Sequence, residues 1–168
     1  MLSSRSALVT AGAVLALTGC QSTPAAAQPK KFAVPELQTV FTVPGALADL
    51  TYAMGTSSEG KPAANFSTKA LTAAGGPGCA AGAKNSVSPF PVGQIVLSPE
   101  IPAQVAQETK DNPDDVLGDF VAKVGSGYLY YLAPPAEGCA PANKTAVALQ
   151  LRATKALRAA LNTVKAAP

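Results

Sequence analysis

The chain has 168 residues, with 13 lysines and arginines against 10 acids, and it contains no histidine. Charged residues make up only 14% of it, too few for the dense Lys/Arg stripe with which a nucleic-acid binder displaces counterions. The missing histidine removes Ser-His-Asp and Cys-His catalysis, His-based zinc sites and imidazole proton transfer together.

Arg5 precedes an apolar run from Ala7 to Leu17, and the run ends in Leu17-Thr18-Gly19-Cys20. A basic residue followed by an apolar stretch too short for a membrane span has the layout of a secretory signal. The four residues at its end resemble the lipobox of bacterial lipoproteins. That resemblance implies that the Cys20 thiol is acylated and that residues 1–19 are cut away. Cys20 would then anchor a mature chain to a membrane on its extracytoplasmic side. The competing reading is a soluble secreted protein with an incidental cysteine. Loss of Arg5 with the signal leaves 12 basic residues against 10 acidic ones, too small an excess to name a partner.

Cys79 and Cys139 are the other two cysteines. With Cys20 taken up by lipid, an exported domain is expected to join them. A thiol-based site is the alternative, but no CxxC spacing supports one. Residues 20–31, which include Pro-Ala-Ala-Ala-Gln-Pro, show no apolar periodicity and are expected to form a flexible tether. Residues 32–168 are expected to form a single domain. Aromatic residues are 5% and tryptophan is absent, so the core must rest on Leu, Val, Ile and Ala.

From Glu36 to Val43, Leu37, Thr39, Phe41 and Val43 share one parity, which predicts a half-buried strand. After the Pro44-Gly45 turn, Leu50 to Met54 reads as a second strand with Leu50, Tyr52 and Met54 inward. Gly55–Lys61 reads as a hairpin tip. It also comes close to the phosphate loop GxxxxGK[ST], but Pro62 stands where a hydroxyl would hold magnesium. Ala64–Lys69 is a candidate third strand with Phe66 inward. Residues 73–89 read as a long Gly/Ala/Pro loop that the Cys79 bridge would hold. Val92–Leu97 is a further strand.

Ser98-Pro99-Glu100 has the residues of a helix start, predicting a helix to about Lys110 with Ile101 and Val105 on one face. Asn112-Pro113-Asp114-Asp115 repeats the signal, and Val116, Leu117, Phe120, Val121 and Val124 follow at helical spacing. A second helix ending at Gly125 is therefore expected. Gly127–Ala133 is the most aromatic run, apolar on both parities as a central strand would be. From Lys144 to Lys165 the chain lacks Gly and Pro, and Leu149, Ala153, Ala156, Leu157, Ala160, Leu161 and Val164 form one helical stripe. Together these elements predict an α+β domain: a small antiparallel sheet packed by two or three helices, with one disulfide.

Few groupings point to chemistry. Asp111, Asn112, Asp114 and Asp115 offer oxygens to calcium but lack EF-hand spacing, and helix capping accounts for them. No metal or cofactor is expected. Tyr128, Tyr130 and Tyr131 could contact a ligand by stacking, although such a run also suits a core strand. Arg152, Lys155, Arg158 and Lys165 could meet anionic headgroups or simply face solvent. Ser67 with Lys69, and Ser86 with Lys84, are the pairs that a histidine-free hydrolase could use.

The order Glu36-Leu37…Phe41, Asp49-Leu50-Thr51-Tyr52, a cysteine loop, an aromatic strand before Cys139 and a closing helix is similar to an uncharacterised domain of exported proteins from candidate-phyla bacteria. The resemblance covers residues 32–165 and implies extracytoplasmic placement and a disulfide, but no activity. The expected function is a lipid-anchored, non-catalytic binding or interaction module of the cell envelope. Its partner would be an unidentified envelope or extracellular molecule, not nucleic acid. An envelope hydrolase with a His-free site is the alternative.

Overall fold

The computed structural model describes residues 28–84, 89–111 and 117–167. The expected signal segment, Cys20, Ser86 and the acidic run from Asn112 to Asp115 lie outside them. In chain order the strands and helices are β1 (Lys30–Val34), β2 (Thr39–Val43), β3 (Leu50–Thr56), β4 (Pro62–Thr68), α1 (Lys69–Gly75), β5 (Gly93–Ser98), α2 (Pro102–Asp111), β6 (Asp119–Val124), β7 (Gly127–Leu132), α3 (Lys144–Leu161) and β8 (Lys165–Ala166). The architecture is α+β. A five-stranded antiparallel sheet runs β3-β4-β5-β7-β6, and a three-stranded antiparallel sheet runs β1-β2-β8.

The pleat of the larger sheet separates two cores. On one face Phe66, Ile95, Leu129 and Tyr131 pack with Phe41 and Val43 of β2 and with Leu157 and Leu161 of α3. On the other, Ala63, Val96 and Tyr130 pack with Val105 of α2 and with Leu117. The alternation read in β2 is observed: Leu37, Thr39, Phe41 and Val43 are all buried. The strand itself is shorter than expected, because Pro35–Leu37 form a 3-10 turn and Gln38 takes a left-handed φ of 50°. That turn pairs Val34 with Thr39, so β1 begins at Lys30, within the segment expected to be tether.

Cys79 and Cys139 are joined, with their Cα atoms 5.1 Å apart. The bridge ties the turn after α1 to the loop before α3. The expected loop 73–89 therefore has structure at its start. Thr68 caps α1 by accepting from the Leu71 amide at 3.0 Å, and Ser67 and Thr72 hydroxyls both donate to the Cys79 carbonyl. Gly75 has to be glycine here, because a Cβ would run into the Cys79 sulfur.

Over the described part of the stretch expected to be a helix ending at Gly125, Asp119–Val124 is instead strand β6. Its pairing with β7 slips between Phe120 and Ala122, so Val121 is an extra residue. Such a bulge breaks the two-residue period and puts Phe120 on one face and Val124 on the other. The apolar spacing of a bulged strand thus imitated a helix. Gly125 at φ 55° and Ser126 then make the two-residue turn into β7. Likewise Ser98 ends β5 instead of capping a helix: its hydroxyl accepts from the Glu100 amide, and α2 starts at Pro102 with Ile101 left largely exposed. Met54, expected inward on β3, is also exposed.

In α3, Asn143 caps the first turn by accepting from the Thr145 and Ala146 amides. Leu157 is fully buried and Leu161 nearly so. The helix stops at Leu161, earlier than expected, because Thr163 takes the Thr42 amide at 2.8 Å and turns the chain into β8. Arg158 pairs with Asp119, but both side chains are more than 60% exposed, where an ion pair adds little. Truncating a buried Leu costs about 2–5 kcal/mol. Leu157→Ala and Leu161→Ala should each lower the melting temperature by several degrees, while Arg158→Ala should move it by no more than a degree or two. Thermal unfolding followed by circular dichroism reads the ranking.

Candidate functional site

An open groove of about 600 Å³ lies between α2 and the β6–β7 edge of the five-stranded sheet. Pro102, Val105, Ala106 and Thr109 of α2 form one wall. Phe120, Tyr130 and Leu132 form the opposite wall and floor. The groove exists because α2 covers only part of this face: of its apolar side chains Val105 alone is buried. Gly118 lets β6 enter beside β7. Its φ is 98°, and a Cβ there would strike the Tyr131 carbonyl.

Tyr128 and Tyr130 stand on the groove side of β7, and Tyr131 on the opposite side, as the alternation required. Tyr130 is 1% exposed and donates its hydroxyl to the Glu100 carbonyl at 2.6 Å. Tyr131 is 2% exposed and donates to the Val92 carbonyl at 3.3 Å. Both hydroxyls are thus used inside the protein, and what Tyr130 offers the groove is ring surface. Tyr128 is half-buried, with the Lys123 ammonium 5.9 Å from its ring centre and the Phe120 ring 6.3 Å away. Phe120, half exposed, forms the lip of the groove with its ring 6.1 Å from that of Tyr130. Sequence reading missed Phe120 as a site residue because it placed it in a helix. The Gly125-Ser126 turn flanked by apolar residues was the available signal for a hairpin.

Among the described residues the other expected groupings are not assembled for chemistry. Lys61, the lysine of the phosphate-loop lookalike, sits at the β3–β4 hairpin between Glu59 and Glu100, with Glu100 at 2.7 Å. Burial works to lower its pKa, but the hydrogen bonds to Glu100 and Glu59 outweigh that and hold it above the usual lysine value. Ser67 is buried and bonded to the Cys79 carbonyl, whereas Lys69 is exposed at the start of α1. Of the proposed calcium group only Asp111 is described, and its carboxylate accepts from Gln107. Among the described residues no three His, Cys, Asp or Glu side chains gather where a metal ion could be held. No known protein family, curated protein or solved structure matches the chain.

Burial raises the pKa of Tyr130, with a further push from Glu100. It pushes Tyr131 up to about 12, Arg158 opposing and Asp119 reinforcing. A phenol whose folded pKa exceeds the ordinary value near 10 favours the native state fully below pH 10. That preference is lost as pH rises from about 10 to about 12, because the unfolded chain ionises first. The loss from Tyr131 alone is roughly 2–3 kcal/mol. Tyr131→Phe should therefore flatten the fall in stability across this range. Urea unfolding at pH 9 to 12 (roughly) would show it, and an unchanged slope would mean that Tyr131 ionises as freely in the native state as in the unfolded one.

Proposed function

We propose that the chain is a lipid-anchored, extracytoplasmic binding module of the cell envelope, held at the membrane through Cys20. The observation that carries the binding part is the chemistry of the groove beside β7. Its walls are apolar and aromatic, and the hydroxyl of the buried Tyr130 is locked by a backbone acceptor. Asp119 at its edge is engaged by Arg158. Surfaces of this kind hold a partner by ring stacking and apolar contact, with few polar groups to orient it. The lipobox resemblance of Leu17-Thr18-Gly19-Cys20 supports the anchor, and an oxidised Cys79–Cys139 pair is at home outside the cytoplasm. No described helix is long and apolar enough to cross a membrane, so membrane attachment in this reading depends on the lipid.

The two parts are tested separately. Cys20→Ser should release the protein from the membrane fraction or leave it unprocessed; a variant that fractionates and migrates like the parent defeats the anchor. For the groove, Ala106→Trp places an indole in its open space. Titration with the apolar fluorophore anilinonaphthalene sulfonate should give a saturable signal that falls at least several-fold in this variant, with the melting temperature little changed. Equal signals from parent and variant would remove the groove as the binding surface.

A further inference from the structure

The charges of the chain are segregated along its length, and the fold turns that into a polarity in space. Residues 138–168 carry five basic side chains and no acid. They supply α3 and β8, which lie on the same face of the five-stranded sheet as β1 and β2. The other face carries α2 and is mixed in charge, with Glu108, Lys110 and Asp111 on the helix and Glu100, paired with Lys61, just before it. On α3 the buried stripe leaves an outward arc in which Lys144, Leu151, Arg152 and Lys155 are all exposed, with small Ala148 and Ala159 between them. Leu151 is 67% exposed, the most of any large apolar side chain described. Lys31 pairs with Thr42 and Lys165 with Val40, the parity opposite to the buried Phe41 and Val43. Both lysines therefore stand on the outer side of the small sheet, next to the end of α3. Of the acids toward this side, Asp119 is engaged by Arg158, Asp49 by the Ala70 amide and Glu36 by the Tyr52 hydroxyl, while Glu137, in the loop that meets α3 beside Leu151, is exposed and makes that edge of the face less basic.

We propose that this basic face, centred on Lys144, Arg152, Lys155 and Leu151, docks on the anionic headgroups of the bilayer to which Cys20 is attached. The proposal rests on the anchor reading for its biological setting, and on the charge and exposure of α3 for its chemistry. Lysine and arginine near an anionic surface are drawn to it over about a Debye length, and an apolar side chain among them enters the headgroup layer. Only nine residues lie between Cys20 and Lys30, and the ten steps of chain from one to the other reach about 35 Å even fully extended. A tether this short keeps the domain at high effective concentration beside the bilayer, so a weak charged contact suffices to orient it. The attachment point Lys30 is on the basic side: its ammonium donates to the Ala48 carbonyl, beside the Gly45–Leu47 turn that touches α3. Docked this way, the domain turns α2 and the groove away from the membrane.

The test uses the chain from residue 20 with Cys20→Ser, which keeps every described core side chain and the disulfide but carries no lipid. Cosedimentation is measured with vesicles of phosphatidylcholine alone and of phosphatidylcholine mixed with phosphatidylglycerol. Binding should require phosphatidylglycerol and weaken with added salt. Each cation at the surface is worth roughly a fivefold change in partitioning, so Lys144→Gln, Arg152→Gln and Lys155→Gln together should reduce it about a hundredfold. Leu151→Gln should reduce it further. Lys84→Gln, Lys110→Gln and Lys123→Gln together remove the same net charge from the α2 side and should leave most of the binding. Equal loss in the two triple variants, binding to neutral vesicles, or no binding by the parent would each overturn the proposal. A failure of Cys20→Ser to alter fractionation of the full chain would defeat the anchor and leave these vesicle results standing by themselves.

Discussion

The covalent tie between Cys79 and Cys139 is the constraint on which one side of this fold depends. The helix that the bridge holds in place contributes small residues: Ala146, Ala153 and Ala160 make up half of the buried positions of α3. Alanine lets a helix approach a sheet closely but removes little apolar area from water, and area is what drives docking. A bridge closing 60 residues restricts the unfolded chain by about 4 kcal/mol in the loop-entropy account. That contribution is comparable to burying two more leucines, and it comes without adding bulk to the interface. The local geometry has adapted to it. Gly75 makes room for the sulfur, the Asn143 side chain donates to the Ala74 carbonyl, and Gln150 accepts the Cys139 amide.

Gln150 shows how a polar group becomes part of such a core. It falls on the buried stripe of α3 between Ala146 and Ala153, where an apolar residue would be expected. Its carbonyl satisfies the amide of a bridge cysteine, so the desolvation of both groups is met by a bond between them. Asn65 and Gln94 do the same on the other side of the sheet: they face each other across β4 and β5, and the glutamine amide donates to the asparagine carbonyl at 2.7 Å.

Where one physical period dominated, the sequence was readable. The strict alternation of Leu37, Thr39, Phe41 and Val43 and the two-sided apolar character of β7 translated directly into structure. So did the helical stripe around Leu157 and Leu161. What escaped has identifiable causes. The bulge at Val121 shifted the parity of β6 and produced a false helical repeat. α1 escaped because its seven residues are too few for periodicity to register, and its cap, Thr68, also ends a strand. β1 was hidden because Lys30 and Lys31 gave it the composition of a tether; a left-handed Gln38 and a proline turn, which no pattern announces, pair it with β2. The candidate groove was legible only in its tyrosines, since its lip, Phe120, and its other wall, α2, come together through the bulged hairpin and the crossing of the sheet.

The two faces of the central sheet have consequently taken different chemical roles. The face under α3 is the larger core, closed by the disulfide, and its outside is basic. The face under α2 is closed by a short helix that buries one valine, and it leaves an apolar groove beside acidic side chains. A sheet with both faces fully covered would have no such site, and a shorter or more polar α3 could not close the first face at all. Buried apolar area is concentrated on one side of the sheet, and the other side is left incompletely sealed. The groove is therefore a product of how the core is distributed, with Tyr130 serving both as core and as floor.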